Sequence, residues 1–258
     1  MNPQNAFTFR SKNLREEDGV LVGSDLNQEW LLRWWWDRYQ KYNQFPVAFI
    51  DFGMSHEMKS WCRERGELIV LRLIDFVAEK EEIPQAFVEQ LESQYGIHFW
   101  KARSAWFKKP FALQQSPFRR TIWVDLDCEV KGSISPIFEF ASSQLGLSIA
   151  LDQGENQSPY PVYNCGVISF KRGSTIILDW VQECFKNTHL FFSDQDLLSE
   201  YLWKKRLSID CIPPKYNWNY RKDALEETTI LHYIGDHGKL IIRKQISDEH
   251  LDSILNPS

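Results

Sequence analysis

Thr121-Ile122-Trp123-Val124-Asp125-Leu126-Asp127-Cys128-Glu129-Val130 is the stretch whose reading decides the fold. Its first four residues are β-branched or aromatic and uncharged, the composition of a strand buried on both faces of a sheet. The run then breaks into an Asp-x-Asp pair. With a side-chain period of two, Asp125 and Asp127 project to one side and Leu126 to the other. Two carboxylates at the end of a buried strand need a cation or hydrogen-bond donors to meet them. Hard oxygen ligands at such an end suit Mg²⁺ or Mn²⁺, and that metal in turn suits a phosphate. The stretch therefore predicts a metal–diphosphate site. A solvated strand end accounts for an isolated Asp-x-Asp equally well, and the chain holds a second, Asp194-Gln195-Asp196. The weight falls on what surrounds the first.

Upstream, the pattern alternates strand and helix. Gly19-Val20-Leu21-Val22-Gly23 reads as a strand, and Ser24 or Asp25 caps a helix that runs through Trp34-Trp35-Trp36 to about Asn43. Pro46 to Ile50 is a second strand ending at Asp51, Ser55 to Arg65 a helix stopped by Gly66, and Glu67 to Ile74 a third strand. Helices follow from Pro84 to about Gly96 and from Phe99 to Gln115. This rhythm predicts an α/β single domain, a mostly parallel sheet flanked by helices on both faces. Ligands of such sheets lie beyond the carboxyl ends of the strands. Ser24, Asp25, Asp51, Asp125 and Asp127 all fall at such ends, which marks them as candidate ligand-binding residues.

Downstream, a short helix at Ile134–Phe140 and a strand at Leu147–Leu151 precede a polar loop, Asp152 to Pro161, the best lid candidate in the chain. Tyr163 to Phe170 reads as a strand, Thr175–Lys186 and Asp194–Lys204 as helices, and Leu207–Ile212 and Thr229–Ile234 as late strands. Residues 1–18 form a polar arm, 19–245 the domain and 246–258 a helical tail.

Composition narrows the function classes. A hydrophobic content of 43% supports a full core, and a net charge of −5 argues against a nucleic-acid surface. No stretch has the roughly 18 apolar residues of a spanning helix, and the first twenty residues are polar. Five scattered cysteines without a CxxC read as reduced, mostly buried thiols of a cytoplasmic protein. Neither GxGxxG nor a P-loop is present, which excludes those nucleotide sites. Three consecutive tryptophans span most of a helix circumference, so they pack under a neighbouring segment or offer a peripheral membrane or partner contact.

Five segments, in order, resemble the glycogenin and lipopolysaccharide-galactosyltransferase family of retaining glycosyltransferases (glycosyltransferase family 8-like), which have the Rossmann-like GT-A fold. They are Lys109 sixteen residues before Asp125-x-Asp127; Tyr163-Asn164-Cys165-Gly166-Val167; Asp194-Gln195-Asp196-Leu197-Leu198; Pro214-Lys215-Tyr216-Asn217; and His232-Tyr233-x-Gly235 with Lys239. The last carries one extra residue before Lys239, and Leu240-Ile241 stand where the family has Pro-Trp. The resemblance spans roughly residues 19–240 and implies a metal-dependent hexosyltransferase. Its donor would be a nucleotide sugar, a UDP-sugar by family habit, and its acceptor a saccharide, lipid or protein.

The resemblance also implies roles. Asp125, Asp127 and His232 would hold the metal, with His237 as the alternative ligand if the extra residue shifts the loop. An imidazole ligand favours Mn²⁺ over Mg²⁺. Leu126, Lys109, Asn164, Gly166 and Lys239 would line the donor, Ser24, Asp25 and Asp51 its base or ribose. Asp194 would accept hydrogen bonds from sugar hydroxyls, and Gln195 would face the anomeric carbon. Two other readings compete. A haloacid-dehalogenase-like phosphatase also has an apolar strand ending in Asp-x-Asp, although Glu129 stands where Thr or Val belongs. A non-catalytic sugar-nucleotide-binding module would keep the site without turnover.

Overall fold

The computed structural model describes residues 14–71, 73, 75–154 and 158–255. Its main sheet begins with three parallel strands, β1 (Gly19–Ser24), β2 (Val47–Asp51) and β3 (Glu67–Val70), joined by helices α1 (Leu31–Tyr42) and α2 (His56–Arg63). Ser55 caps α2 by accepting the Met58 N–H. Helices α3 (Gln85–Tyr95) and α4 (Trp100–Gln114) then carry the chain back across the sheet to β4 (Arg120–Val124), which pairs parallel with the other side of β1. After β5 (Cys128–Val130) and α5 (Ile137–Phe140) come β6 (Leu147–Leu151) and β7 (Tyr163–Lys171), with β7 antiparallel to both β4 and β6. Helices α6 (Thr175–Asn187) and α7 (Asp194–Lys204) lead to β8 (Asp210–Cys211), giving the order β3-β2-β1-β4-β7-β6-β8. This is the expected α/β domain with a mostly parallel core.

Alternation along the strands splits the core into two layers. Val20, Val22, Ile122 and Val124 face α1, α2 and the small sheet, whereas Leu21, Trp123 and Ile168 face α4, α6 and α7. The chain reverses its strand order between β1 and β4, the topological switch point where open α/β sheets leave a crevice for ligands.

The decisive stretch departs from a continuous strand. Strand β4 ends at Val124, and residues 125–127 form a tight turn closed by the Cys128 N–H on Asp125 O at 3.0 Å. The turn carries β5 out of the main sheet into a second one of order β5-β10-β9, with β9 at Trp218–Asn219 and β10 at Ile230–His232. The period-of-two placement of Asp125 and Asp127 on one strand face therefore does not apply. They project from a turn, and Leu126 between them packs into the core.

The other large departure is α8 (Gly235–Leu255), one continuous helix that begins where a loop was expected and crosses position 245. It covers α1: Trp34 Nε1 donates to Gln245 Oε1 at 3.2 Å, and the Trp34 and Tyr233 rings meet edge-on. Trp35 stacks on Tyr39, and Trp36 packs against Phe49 and Trp61. Trp34 and Trp35 are thus buried and Trp36 half-buried, packed against neighbouring segments. No helix among the described residues is long and apolar enough to cross a membrane. Residues 14–18 of the arm are draped on the domain, Asp18 pairing with Arg120, while residues 1–13 lie outside the described residues, as do 155–157 of the lid candidate. Strand β3 stops at Val70, short of the expected Ile74.

Candidate functional site

The two acidic residues of the 125–127 turn face different partners. Asp125 leans toward β7 and α4: Lys109 Nζ lies 3.0 Å from its carboxylate and donates also to Cys165 O, and Trp123 Nε1 donates to Asp125 Oδ1 at 2.6 Å. Burial alone would lower the Lys109 pKa, but the Asp125 and Asp194 carboxylates outweigh it and hold it above the usual lysine range. Asp127 leans toward the small sheet, its Oδ1 3.3 Å from His232 Nε2 and its Oδ2 3.1 Å from Lys239 Nζ. Burial would raise this carboxyl, yet Lys239 and His232 outweigh it and hold the group well below the carboxylate range.

The orientation of His232 is built from the residues around it. Asn217 Nδ2 donates to both the backbone and the side-chain oxygen of Asn164, at 3.1 and 3.0 Å, which turns its own Oδ1 toward His232 Nδ1 at 2.9 Å. An acceptor at Nδ1 puts a ring proton there, so the Nε2 that faces Asp127 carries either a second proton or a lone pair. A carboxylate oxygen and a nitrogen lone pair 3.3 Å apart repel unless a proton or a metal cation lies between them. A proton there makes the two an ion pair, and a divalent cation in its place would be held by both Asp127 and His232. Among the described residues, the three-residue group whose ligand atoms converge within 4.8 Å is Asp127, Cys128 and His232. Asp125 stands outside it.

The remaining candidates fall into place around this pair or away from it. A Cβ on Gly166 would overlap His232 Cε1, so the missing side chain makes room for the imidazole. Asn164 is tied to its neighbours, its side-chain oxygen receiving from Gly166 N and Asn217 and its amide nitrogen donating to Asp152 Oδ1. Lys239 sits in the first turns of α8. Gln195 Oε1 accepts the Cys165 N–H at 3.4 Å, on the same β7 residue whose carbonyl receives Lys109. Asp194 is buried at the start of α7, and its Oδ2 has no hydrogen-bond partner. Burial, opposed by Lys109 and reinforced by Asp125, pushes its carboxyl up to about 7.

Ser24 and Asp51 lie side by side at the ends of β1 and β2. Asp51, however, accepts the Gly53 and Met54 N–H groups at 2.8 Å each and pairs with Lys59 at 2.9 Å, while Asp25 caps the turn after β1 through Asn27 and Gln28. Both carboxylates are committed to local structure. His237 bonds Tyr220 Oη at 2.9 Å, away from the converging ligand atoms. Cys128 and Asn217 were not among the residues marked from sequence for the site. A thiol carries no strand-end signature, and the amide's role depends on three strands meeting.

No family model and no curated protein matches the chain by sequence. Solved structures do match in shape. The galactosyltransferase LgtC in complex with donor and acceptor sugar analogues superposes with a TM-score of 0.54 at 13% identity, over 84% of this chain and 87% of that one. The glycosyltransferase GlyE of Streptococcus pneumoniae TIGR4 gives 0.56 at 16%, over 91% of this chain and 64% of that one. Mouse xyloside xylosyltransferase 1 gives 0.52 at 15%, over 83% and 97%. The chain has a GT-A fold. In that GT-A frame the 125–127 turn lies at the switch point between β1 and β4, and the Asp127–His232 pair joins the main sheet to the small one.

Proposed function

We propose that this GT-A protein is a metal-dependent glycosyltransferase that moves a hexose from a nucleotide sugar, a UDP-sugar, to a saccharide, lipid or protein acceptor with retention at the anomeric carbon. The observation that carries the reading is the Asp127–His232 pair at 3.3 Å, a carboxylate oxygen and an imidazole nitrogen brought together at the mouth of the sheet, which a divalent cation would share. Asp127 and His232 would hold the cation, Mn²⁺ in preference to Mg²⁺ because one donor is an imidazole. Bound there, a divalent ion would supply Lewis-acid stabilisation of the charge that grows on the departing diphosphate.

The chain's own groups would do the rest. Lys239, now paired with Asp127, is placed to turn toward a phosphate oxygen. Lys109 and Trp123 hold Asp125 as an acceptor for donor hydroxyls. Asp194, pushed up to about 7, is protonated in mildly acidic solution and then donates a hydrogen bond to the sugar; above that pH it accepts one. The Gln195 amide is a poor nucleophile, so retention would proceed by a same-face route in which the leaving phosphate helps the incoming hydroxyl. Cytoplasmic localisation belongs to this reading as well. The phosphatase alternative is set aside by the fold, and Glu129 accepts a hydrogen bond from Tyr233 Oη at 3.2 Å instead of standing in for a catalytic Thr.

A thermal-shift panel of UDP and UDP-hexoses, with and without Mn²⁺, tests the proposal on the wild type and on Asp127→Asn. Stabilisation that needs both metal and nucleotide and vanishes in the variant is the expected result. Equal shifts in both proteins would remove Asp127 from the site. Binding without hydrolysis or transfer would favour a sugar-nucleotide-binding module.

A further inference from the structure

Cys128 lies against the Asp127–His232 pair. It follows Asp127 directly, and the antiparallel register of β5 and β10 sets it opposite His232. Directly opposed strand residues hold their Cβ atoms about 4.5–5.5 Å apart on one face. The Cys128 Sγ, an Asp127 oxygen and a His232 ring nitrogen accordingly lie within 4.8 Å of one another, all three residues buried. Tetrahedral zinc with a thiolate at about 2.3 Å and an imidazole at about 2.0 Å needs donor atoms about 3.5 Å apart. The three donors are thus within about an ångström or so of a zinc shell. The second carboxylate of the turn does not compete for this place, because Lys109 and Trp123 hold Asp125 on the other side.

We propose that Asp127, Cys128 and His232 form a site for a thiophilic divalent cation, Zn²⁺ by preference, with the fourth position open to an anionic oxygen of a ligand. The inference rests on the reading of Asp127 and His232 as metal ligands and adds the thiol to them. On binding, the S–H bond breaks, its proton passes to the buffer, and a zinc–sulfur bond forms with no change of oxidation state. The weak hydrogen bond from Sγ to Gly166 O, 3.8 Å long, is given up. A carboxylate and a thiolate neutralise the dication, and the adjacent Lys239 leaves the centre positive, which suits a phosphate. Soft sulfur favours Zn²⁺ over Mg²⁺ and Mn²⁺. Zn²⁺ would therefore compete with Mn²⁺ for the same Asp127 and His232.

Cobalt titration of the full chain reads the sulfur ligand directly. A Cys211→Ser background removes the exposed thiol, the other four cysteines being buried. That protein should show a thiolate-to-cobalt charge-transfer band and tetrahedral d–d absorption. Cys128→Ser and Cys128→Ala, each checked by circular dichroism, should lack the band and bind Zn²⁺ about tenfold more weakly or worse in competition with a chromogenic chelator. A Cys128 variant with an unchanged band or unchanged Zn²⁺ affinity overturns the proposal, and so does a parent protein without the band. The Mn²⁺–UDP thermal shift of the wild type tests the nucleotide-sugar reading on its own. A cobalt–sulfur band in a protein that ignores UDP would keep the thiol ligand and discard the transferase.

Discussion

Asp194 is the residue at which sequence chemistry and folded environment disagree most. A helix-start aspartate ordinarily titrates near 3.9 and stabilises the helix as an anion. Here burial pushes it up to about 7, with one oxygen unpartnered. The folded form therefore binds a proton that the unfolded form has lost between about pH 4 and 7. Its contribution to stability is greatest below pH 4, falls as pH rises through that window, and above about pH 7 leaves a penalty on the order of 3–5 kcal/mol. Asp194→Asn removes the titration while keeping the shape. Urea unfolding should find the variant's advantage over wild type about 2–3 kcal/mol larger at pH 8 than at pH 5; equal differences at both pH values would show that the carboxyl titrates normally. Gly166 makes the complementary case for space. In Gly166→Ala the new methyl meets the His232 ring and Asn164 Oδ1, both buried, so a loss of about 1–3 kcal/mol and of the metal-dependent UDP shift is expected. The residue types of the site were legible in the chain, Asp125, Asp127, His232 and Lys239 among them. Their directions were not, because a turn at 125–127 replaced the strand geometry on which the period-of-two argument depends.

Elements were readable where local signals were strong. Helix α7 starts behind Ser193, whose hydroxyl caps Asp196 N–H, and β6 is bounded by turn residues; both fall where the patterns put them. The first turns of helix α8 escaped, although a helical tail from 246 was expected, because Gly235-Asp-His-Gly238 reads as a loop. Gly235 does adopt φ +78°, but as the entry to a helix of 21 residues. In the small sheet β10 falls inside the strand expected at Thr229–Ile234, whereas β9, two residues long, leaves no periodicity to find. One tie between that sheet and the large one is an amide: Asn217, just before β9, reaches Asn164 on β7 and His232 on β10. Asn217→Ala would leave the Asn164 side-chain oxygen and the His232 ring with one partner fewer each. Chemical denaturation should report a loss of about 2–3 kcal/mol. Metal titration should report an affinity lower by about 10–100-fold, the usual effect of removing the group that orients a ligating histidine. A variant of normal stability and metal affinity would mean that Asp127 and Lys239 alone fix the imidazole.

At the scale of the whole molecule, the site is the seam between two sheets. Asp125 belongs with the large sheet through Lys109 and Gly166 O, whereas Asp127 belongs with the small one through His232, Lys239 and the Tyr233 N–H on its backbone oxygen. An alternating α/β rhythm predicts the first sheet and its crevice, but a seam made by long-range pairing of residues 127 and 232 has no local trace in the chain. A cation with a diphosphate would bridge the two sides, so its binding energy should appear as coupling between them. At a ligand concentration of about 100 times Kd, mass action adds about 2.7 kcal/mol. For a domain of this size each kcal/mol raises Tm by about 2–4 °C, which gives an expected rise of about 5–10 °C with Mn²⁺ and UDP together. Hydrogen exchange then tells where the gain resides. Amides of residues 125–130, β10 and the first turns of α8 should slow together when metal and nucleotide are both present, while the β8 edge exchanges as before. Protection confined to one side of the seam, or spread evenly over the domain, would show that the ligand does not bridge Asp127 and His232 to the large sheet.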